Sequence, residues 1–137
     1  LLGAYVKRRV NLALICDQKT VVPVDELAHC IRESLIYLTQ YGAVCTLHQE
    51  GKGSVRSCDA QNAYDFFEDC LEAALPSLSA LMVRVECGER FSIRLMMEDA
   101  AGLPNVDKYR TLGKLTIDDA DGELCATLSF DRGGECA

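Results

Sequence analysis

From Val24 onward the apolar residues Val24, Leu27, Ala28, Ile31, Leu35 and Leu38 recur at steps of three and four, the spacing of one face of an α-helix. Pro23 with Asp25 and Glu26 marks its start and Gly42 its stop, because proline is preset for a helical first turn and glycine for the reversal after the last. AVCTLHQEGKGSVRS then reads as a strand, a glycine turn and a short strand. A second helical phase follows through Ala63, Tyr64, Phe67, Cys70, Leu71 and Ala74, with Asp59 as the expected N-cap and Pro76 closing it. The period then changes from 3.6 to 2. Leu81, Val83, Val85 and Cys87 alternate with Met82, Arg84 and Glu86, and after Gly88 the residues Phe91, Ile93, Leu95 and Met97 alternate with Arg90, Ser92, Arg94 and Met96, which predicts a half-buried antiparallel pair. Residues 98–114 read as a loop with one helical turn near Val106 to Arg110. A hairpin closes the chain, Leu115 and Ile117 leading through Asp121 and Gly122 to Leu124, Ala126, Leu128 and Phe130. Helices followed by hairpins predict an α+β two-layer sandwich, with helices on one face of a mixed, mostly antiparallel sheet.

The opening residues, LLGAYVKRRVNLALIC, read as the end of a helix with Leu2, Val6, Val10 and Ala13 on one side and Lys7, Arg8 and Arg9 on the other. They imply a segment cut from something longer, with 1–16 the remnant of a preceding helix and 17–137 one domain. At 137 residues the chain is long enough to bury a sizeable core. A hydrophobic content of 49% and a charged content of 26% place it among folded, soluble chains. The net charge of −7 argues against nucleic acid or an anionic membrane as a partner, since both reward basic patches.

Eight cysteines stand at 16, 30, 45, 58, 70, 87, 125 and 136 without one CxxC pair. Zinc ribbons need such pairs. Cys30, Cys70 and Cys125 fall on apolar phases, where a thiol packs as a small hydrophobe, so the expectation is a reduced, cytosolic protein. His29 and His48 read as surface residues, with no carboxylate or cysteine at ligand spacing. IDDADGEL has the acidity of a calcium loop, yet counted from Gly122 its first and last ligand positions are Ile117 and Leu128, which offer no side-chain oxygen. GKGS at Gly51 to Ser54 lacks the upstream glycine and following helix of a phosphate loop. Both stretches read as turns.

The order of elements over 24–135 resembles the ATP-binding domain of sensor histidine kinases, which shares its superfamily with the gyrase, chaperone and mismatch-repair ATPases. The opening YVKRRVNLAL looks like the last turns of the dimerisation helix that precedes it. The resemblance implies nucleotide held between the helix layer and a mobile lid, with ATP and magnesium as cofactors. In such kinases the second helix carries N-L-L-x-N-A, whose second Asn binds magnesium. DCLEAAL puts Asp69 at the first Asn and Ala73 at the second, a methyl group in place of a metal ligand; a slip of one residue would put Glu72 there. The adenine-binding D-x-G-x-G has its counterpart in EDAAGLP, with Glu98 or Asp99 as the acid, Gly102 as the last glycine, and Ala100 or Ala101 in place of the first. A second glycine box has no counterpart, because only LPNVDKYRTLGK separates Gly102 from the last hairpin. Lys108 and Arg110 in that loop could approach a phosphate, although a solvated loop is the commoner reading. LAHCIRES around His29 is not a phospho-accepting box.

What the resemblance implies is therefore a degenerate kinase-type domain in two-component signalling, with no catalytic residue of its own, acting as a regulatory or protein-binding module and dimerising through the preceding helix. Two alternatives stand beside it. One is a working domain in which Asp69 or Glu72 holds magnesium and Glu98 or Asp99 reads adenine. The other is an interaction domain with no cleft between the 59–75 helix and the strand ending at Glu98.

Overall fold

The computed structural model describes residues 20–40, 42–102 and 104–131; the expected helix remnant over 1–16 and the closing Gly133 and Gly134 lie outside them. In chain order the elements are β1 (Val21–Pro23), α1 (Val24–Gln40), β2 (Val44–Glu50), β3 (Ser54–Arg56), α2 (Ser57–Ala74), β4 (Ala80–Cys87), β5 (Arg90–Glu98), a 3-10 helix (Asp107–Thr111), β6 (Lys114–Ala120) and β7 (Glu123–Asp131). The main sheet has the order β2-β4-β5-β7-β6, and β1 pairs with β3 in a separate two-stranded ribbon. The fold is thus the expected α+β sandwich, two helices on one face of a mixed five-stranded sheet.

Alternation in the strands builds the core. Leu81, Val83 and Val85 of β4, Phe91, Ile93, Leu95 and Met97 of β5, and Leu124, Ala126, Leu128 and Phe130 of β7 are buried under the helices. Phe66, Phe67 and Leu71 of α2 and Leu27, Ile31 and Leu38 of α1 meet them from above. The β6–β7 turn follows the sequence closely, since Asp121 at φ 53 and Gly122 at φ 77 both take the left-handed backbone of a type I′ hairpin.

Four expectations are corrected. β2 and β3 do not form a hairpin: β2 runs parallel to β4, pairing Val44 with Ala80 through Glu50 with Glu86, while β3 turns back to β1. The Gly51 to Gly53 connection separates the two strands, and the Gly53 carbonyl accepts from Val24 N–H at the start of α1 (2.9 Å). Asp59 is not the N-cap of α2, which begins at Ser57 with Arg56 preceding it and no side-chain cap. The Ser57 N–H instead donates to the Thr20 carbonyl (2.9 Å), and Asp59 serves in the first turn as the buried acceptor of Arg56 Nε (2.8 Å). Cys125 belongs to the outer face of β7 and is partly exposed, because the inward phase falls on Leu124 and Ala126. Cys58, finally, is disulfide-bonded, against the expectation of a fully reduced chain; linear spacing does not reveal which sulfurs a fold brings within bonding distance. Cys30, Cys45, Cys70, Cys87 and Cys125 are free.

Candidate functional site

The segment between β5 and β6 packs on the outer turns of α2, where the family resemblance would place a nucleotide. Ala101 N–H donates to the Ala74 carbonyl (2.9 Å), which gives one of the unpaired carbonyls at the helix C-terminus a partner. Gly102 lies so near that a Cβ on it would stand 3.7 Å from the Ala73 carbonyl oxygen. The chain then folds into the 3-10 helix, and Val106 and Tyr109 are buried there at 2% exposure each. The Tyr109 ring stands edge-on to Phe66 of α2 at 5.5 Å between centroids, a favoured aromatic geometry. Its hydroxyl donates to Asp69 Oδ2 over 2.6 Å. Lys108 Nζ reaches the same oxygen at 3.0 Å. Burial foremost, and then the Asp69 carboxylate, push the Tyr109 hydroxyl well above its ordinary range, so it stays a proton donor to Asp69 at any physiological pH. Burial likewise pushes up the neighbouring Cys70 thiol, which is fully enclosed and is not a nucleophile.

The candidate residues from the sequence come together only in part, Gly102 beside Ala73 and Glu72 and Glu98 apart from them. Asp69 faces the 3-10 helix, as just described, with Ala73 one turn further along α2. Glu72 is exposed. Asp99 and Gly102 line a cleft of about 500 Å³ together with Ser77, Ala100 and Asp119. Asp99 sits at φ 58, held by Ser79 Oγ donating to its Oδ2 (2.6 Å) and by its own N–H donating to the Gly122 carbonyl (3.1 Å). Glu98 is on the opposite face of the sheet, since Met97 is the residue of that pair that points under the helices. Arg110 pairs with Asp107 on the surface. His29, expected to have no carboxylate at ligand spacing, pairs with Glu33 one helical turn on, because residues four apart meet on a helix face, and His48 is exposed. Among the described residues no three His, Cys, Asp or Glu side chains converge on a metal position.

Tyr109 was absent from the sequence reading. Its signal was Val106 and Tyr109, two apolar residues three apart in a loop otherwise polar from Asn105 to Arg110, the spacing of one buried helical turn.

No family model matches the sequence and no curated protein does so. Solved structures do match in fold. A bacterial phosphotransferase superposes with a TM-score of 0.60 at 12% identity, covering 88% of this chain and 71% of that one. The histidine kinase domain of the blue-light activated histidine kinase EL346 from Erythrobacter litoralis gives 0.64 at 15% identity, covering 92% and 78%. The Acinetobacter baumannii histidine kinase AdeS gives 0.59 at 10% identity, covering 94% and 77%. The fold is that of the histidine kinase catalytic domains. Among the described residues no helix is long and apolar enough to cross a membrane.

Proposed function

We propose that this chain is a histidine-kinase-type domain that no longer uses ATP and works as a protein-binding, regulatory module in two-component phosphotransfer. One observation carries the reading: the Asp69 carboxylate is already occupied by Tyr109 and Lys108. A kinase of this fold would need oxygen ligands for magnesium along this helix. Here Ala73 presents a methyl, and the Asp69 carboxylate holds a lysine ammonium where a cation would sit. The remaining cleft argues in the same direction, because its lining includes Asp99 and Asp119 and no lysine or arginine. Phosphoryl transfer is positioning plus charge stabilisation, and this set supplies neither for a triphosphate. The likeness to a bacterial phosphotransferase supports a role in passing or receiving phosphoryl groups through other segments and partners, with dimerisation through the helix that precedes the domain.

A second reading is favoured by one feature of Asp99. Its Oδ2 accepts from Ser79 while the residue lines a cleft of about 500 Å³, and a carboxylate so placed can accept from an adenine amino group. The working domain would then use Glu72 for magnesium.

The deciding experiment is a thermal melt with a non-hydrolysable ATP analogue and magnesium. A ligand at about a hundred times its dissociation constant stabilises a fold by about 2.7 kcal/mol, which is easily seen for a domain of this size. The expected result is no shift at millimolar nucleotide. A clear shift that disappears in Glu72→Ala or Asp99→Ala would overturn the proposal and establish the second reading.

A further inference from the structure

The face of the main sheet turned away from the helices carries a charge pattern that the fold itself does not explain. Along β5 the outward residues are Arg94, Met96 and Glu98. Met96 pairs across with Met82 of β4, and Val44 of edge strand β2 lies beside them, 68% exposed. Together they floor an apolar groove of about 230 Å³ that ends at Glu98 and Glu123. Those two carboxylates are direct cross-strand partners. Like charges in that position destabilise a sheet, and among the described residues neither makes an ion pair, although the same face neutralises Arg84 with Glu50 and Glu86. Arg94, on the other side of Met96, has among the described residues the Thr127 hydroxyl as its partner (3.3 Å).

We propose that this groove is the docking surface for an amphipathic helix of a partner protein, apolar along its middle, with lysine or arginine over Glu98 and Glu123 and a carboxylate over Arg94. Charge complementarity chooses the chemistry at each end. The width chooses a helix: the patch spans β2, β4 and β5, two inter-strand spacings or about 10 Å, which is the diameter of a helix with its side chains. Methionines floor it, and their flexible thioethers suit a surface that adapts to a partner. Four strand residues from Arg94 to Glu98 cover about 13 Å, so the complementary charges on the helix stand about nine residues apart at about 1.5 Å per residue. The inference is independent of the reading of the Tyr109–Asp69 contact and holds whether or not nucleotide binds.

The test is selection of a displayed library of short helical peptides against the whole chain, followed by affinity measurement on Met96→Glu, Met82→Glu and the double variant Glu98→Lys, Glu123→Lys, each first shown by melting to be folded. Enriched peptides are expected to carry Lys or Arg about nine residues from Asp or Glu around an apolar stripe. They should lose on the order of tenfold or more in affinity for either methionine variant, and the charge-reversed variant should select acidic residues where the parent selected basic ones. Enriched peptides that bind all three variants as they bind the parent would overturn the proposal. Sedimentation showing that the parent is a dimer and Met96→Glu a monomer would also overturn it, by assigning the face to a second copy of this chain.

Discussion

Replacing Tyr109 with phenylalanine isolates the contact that ties the 3-10 helix to α2. The substitution keeps the ring against Phe66 (5.5 Å) and deletes only the hydroxyl that donates to Asp69 over 2.6 Å. A hydrogen bond to a charged group is worth about 1.5–3 kcal/mol. The low end applies, because Asp69 keeps Lys108 at 3.0 Å and its side chain is 21% exposed. A loss of about 1.5 kcal/mol in a domain of this length lowers the Tm by about 6 °C. Urea melts of the parent, Tyr109→Phe, Asp69→Asn and the double variant form a cycle whose coupling should be at least about 1 kcal/mol. The same experiment at alkaline pH gives an independent reading. The folded pKa of Tyr109 lies above its ordinary value of 10.0, so above that pH the unfolded chain binds fewer protons than the native one and stability falls as pH rises. Tyr109→Phe should make that alkaline decline shallower. Additive substitutions in the cycle, together with an unchanged alkaline slope, would refute the claim that the 3-10 helix is locked to α2 through this hydroxyl.

Three further outcomes follow from other parts of the fold. A Cβ on Gly51, at φ +80, would stand 2.0 Å from the Cys87 carbonyl oxygen, so Gly51→Ala should cost more than about 2 kcal/mol in chemical denaturation. Gly122→Ala, with nothing within 4 Å of its Cβ, should cost about 1 kcal/mol, and equal losses would contradict the close approach of the β2–β3 turn to β4. Burial raises the pKa of Asp59 above 3.8 against the opposing pull of Arg56. A raised carboxyl contributes stability below 3.8 that is lost as pH rises through the folded value, so Asp59→Asn should flatten the stability curve just above pH 4, and parallel curves for parent and variant would contradict it. In the native state iodoacetamide should modify Cys45 and Cys125 ahead of Cys30, Cys70 and Cys87, which are buried; mass spectrometry showing Cys70 among the first would place α2 differently on the sheet.

Much of the architecture was legible because burial imposes periods that survive in sequence. The alternation of Leu81 to Cys87 and of Phe91 to Met97 has only one reading once one face must lie under helices. Pairing partners were less legible. Nothing in VCTLHQE distinguishes a hairpin strand from one that runs parallel to a strand 36 positions on, Val44 against Ala80; that choice is made by α2, which must cross over the sheet between them. Asp59 looked like a cap because local sequence shows an acid before an apolar run, whereas the Thr20 carbonyl that takes the Ser57 N–H is 37 residues away. Glu98 and Asp99 illustrate the same limit in the candidate site. Both are acids at the end of a strand, but one residue of difference sends Glu98 to the open face and leaves Asp99 at the cleft.

On the proposed reading, the packing of Tyr109 against α2 accounts for a fold kept without nucleotide chemistry. A binding site that must admit a ligand holds apolar and charged surface open to water when empty, and that surface contributes nothing to stability. In this chain Val106 and Tyr109 cover the corresponding part of α2, and burying a large side chain is worth about 1.5–3 kcal/mol. On that reading no activity opposes filling the space, and the loop with one helical turn stands in place of a mobile lid and a further helix. The open face of the sheet went the other way. Among the described residues Glu98, Glu123 and Arg94 have no ion-pair partner there, although single substitutions would relieve the repulsion between the two carboxylates. Stability gained where Tyr109 packs on α2 and left ungained on the open face is the distribution that the proposed protein-binding module predicts.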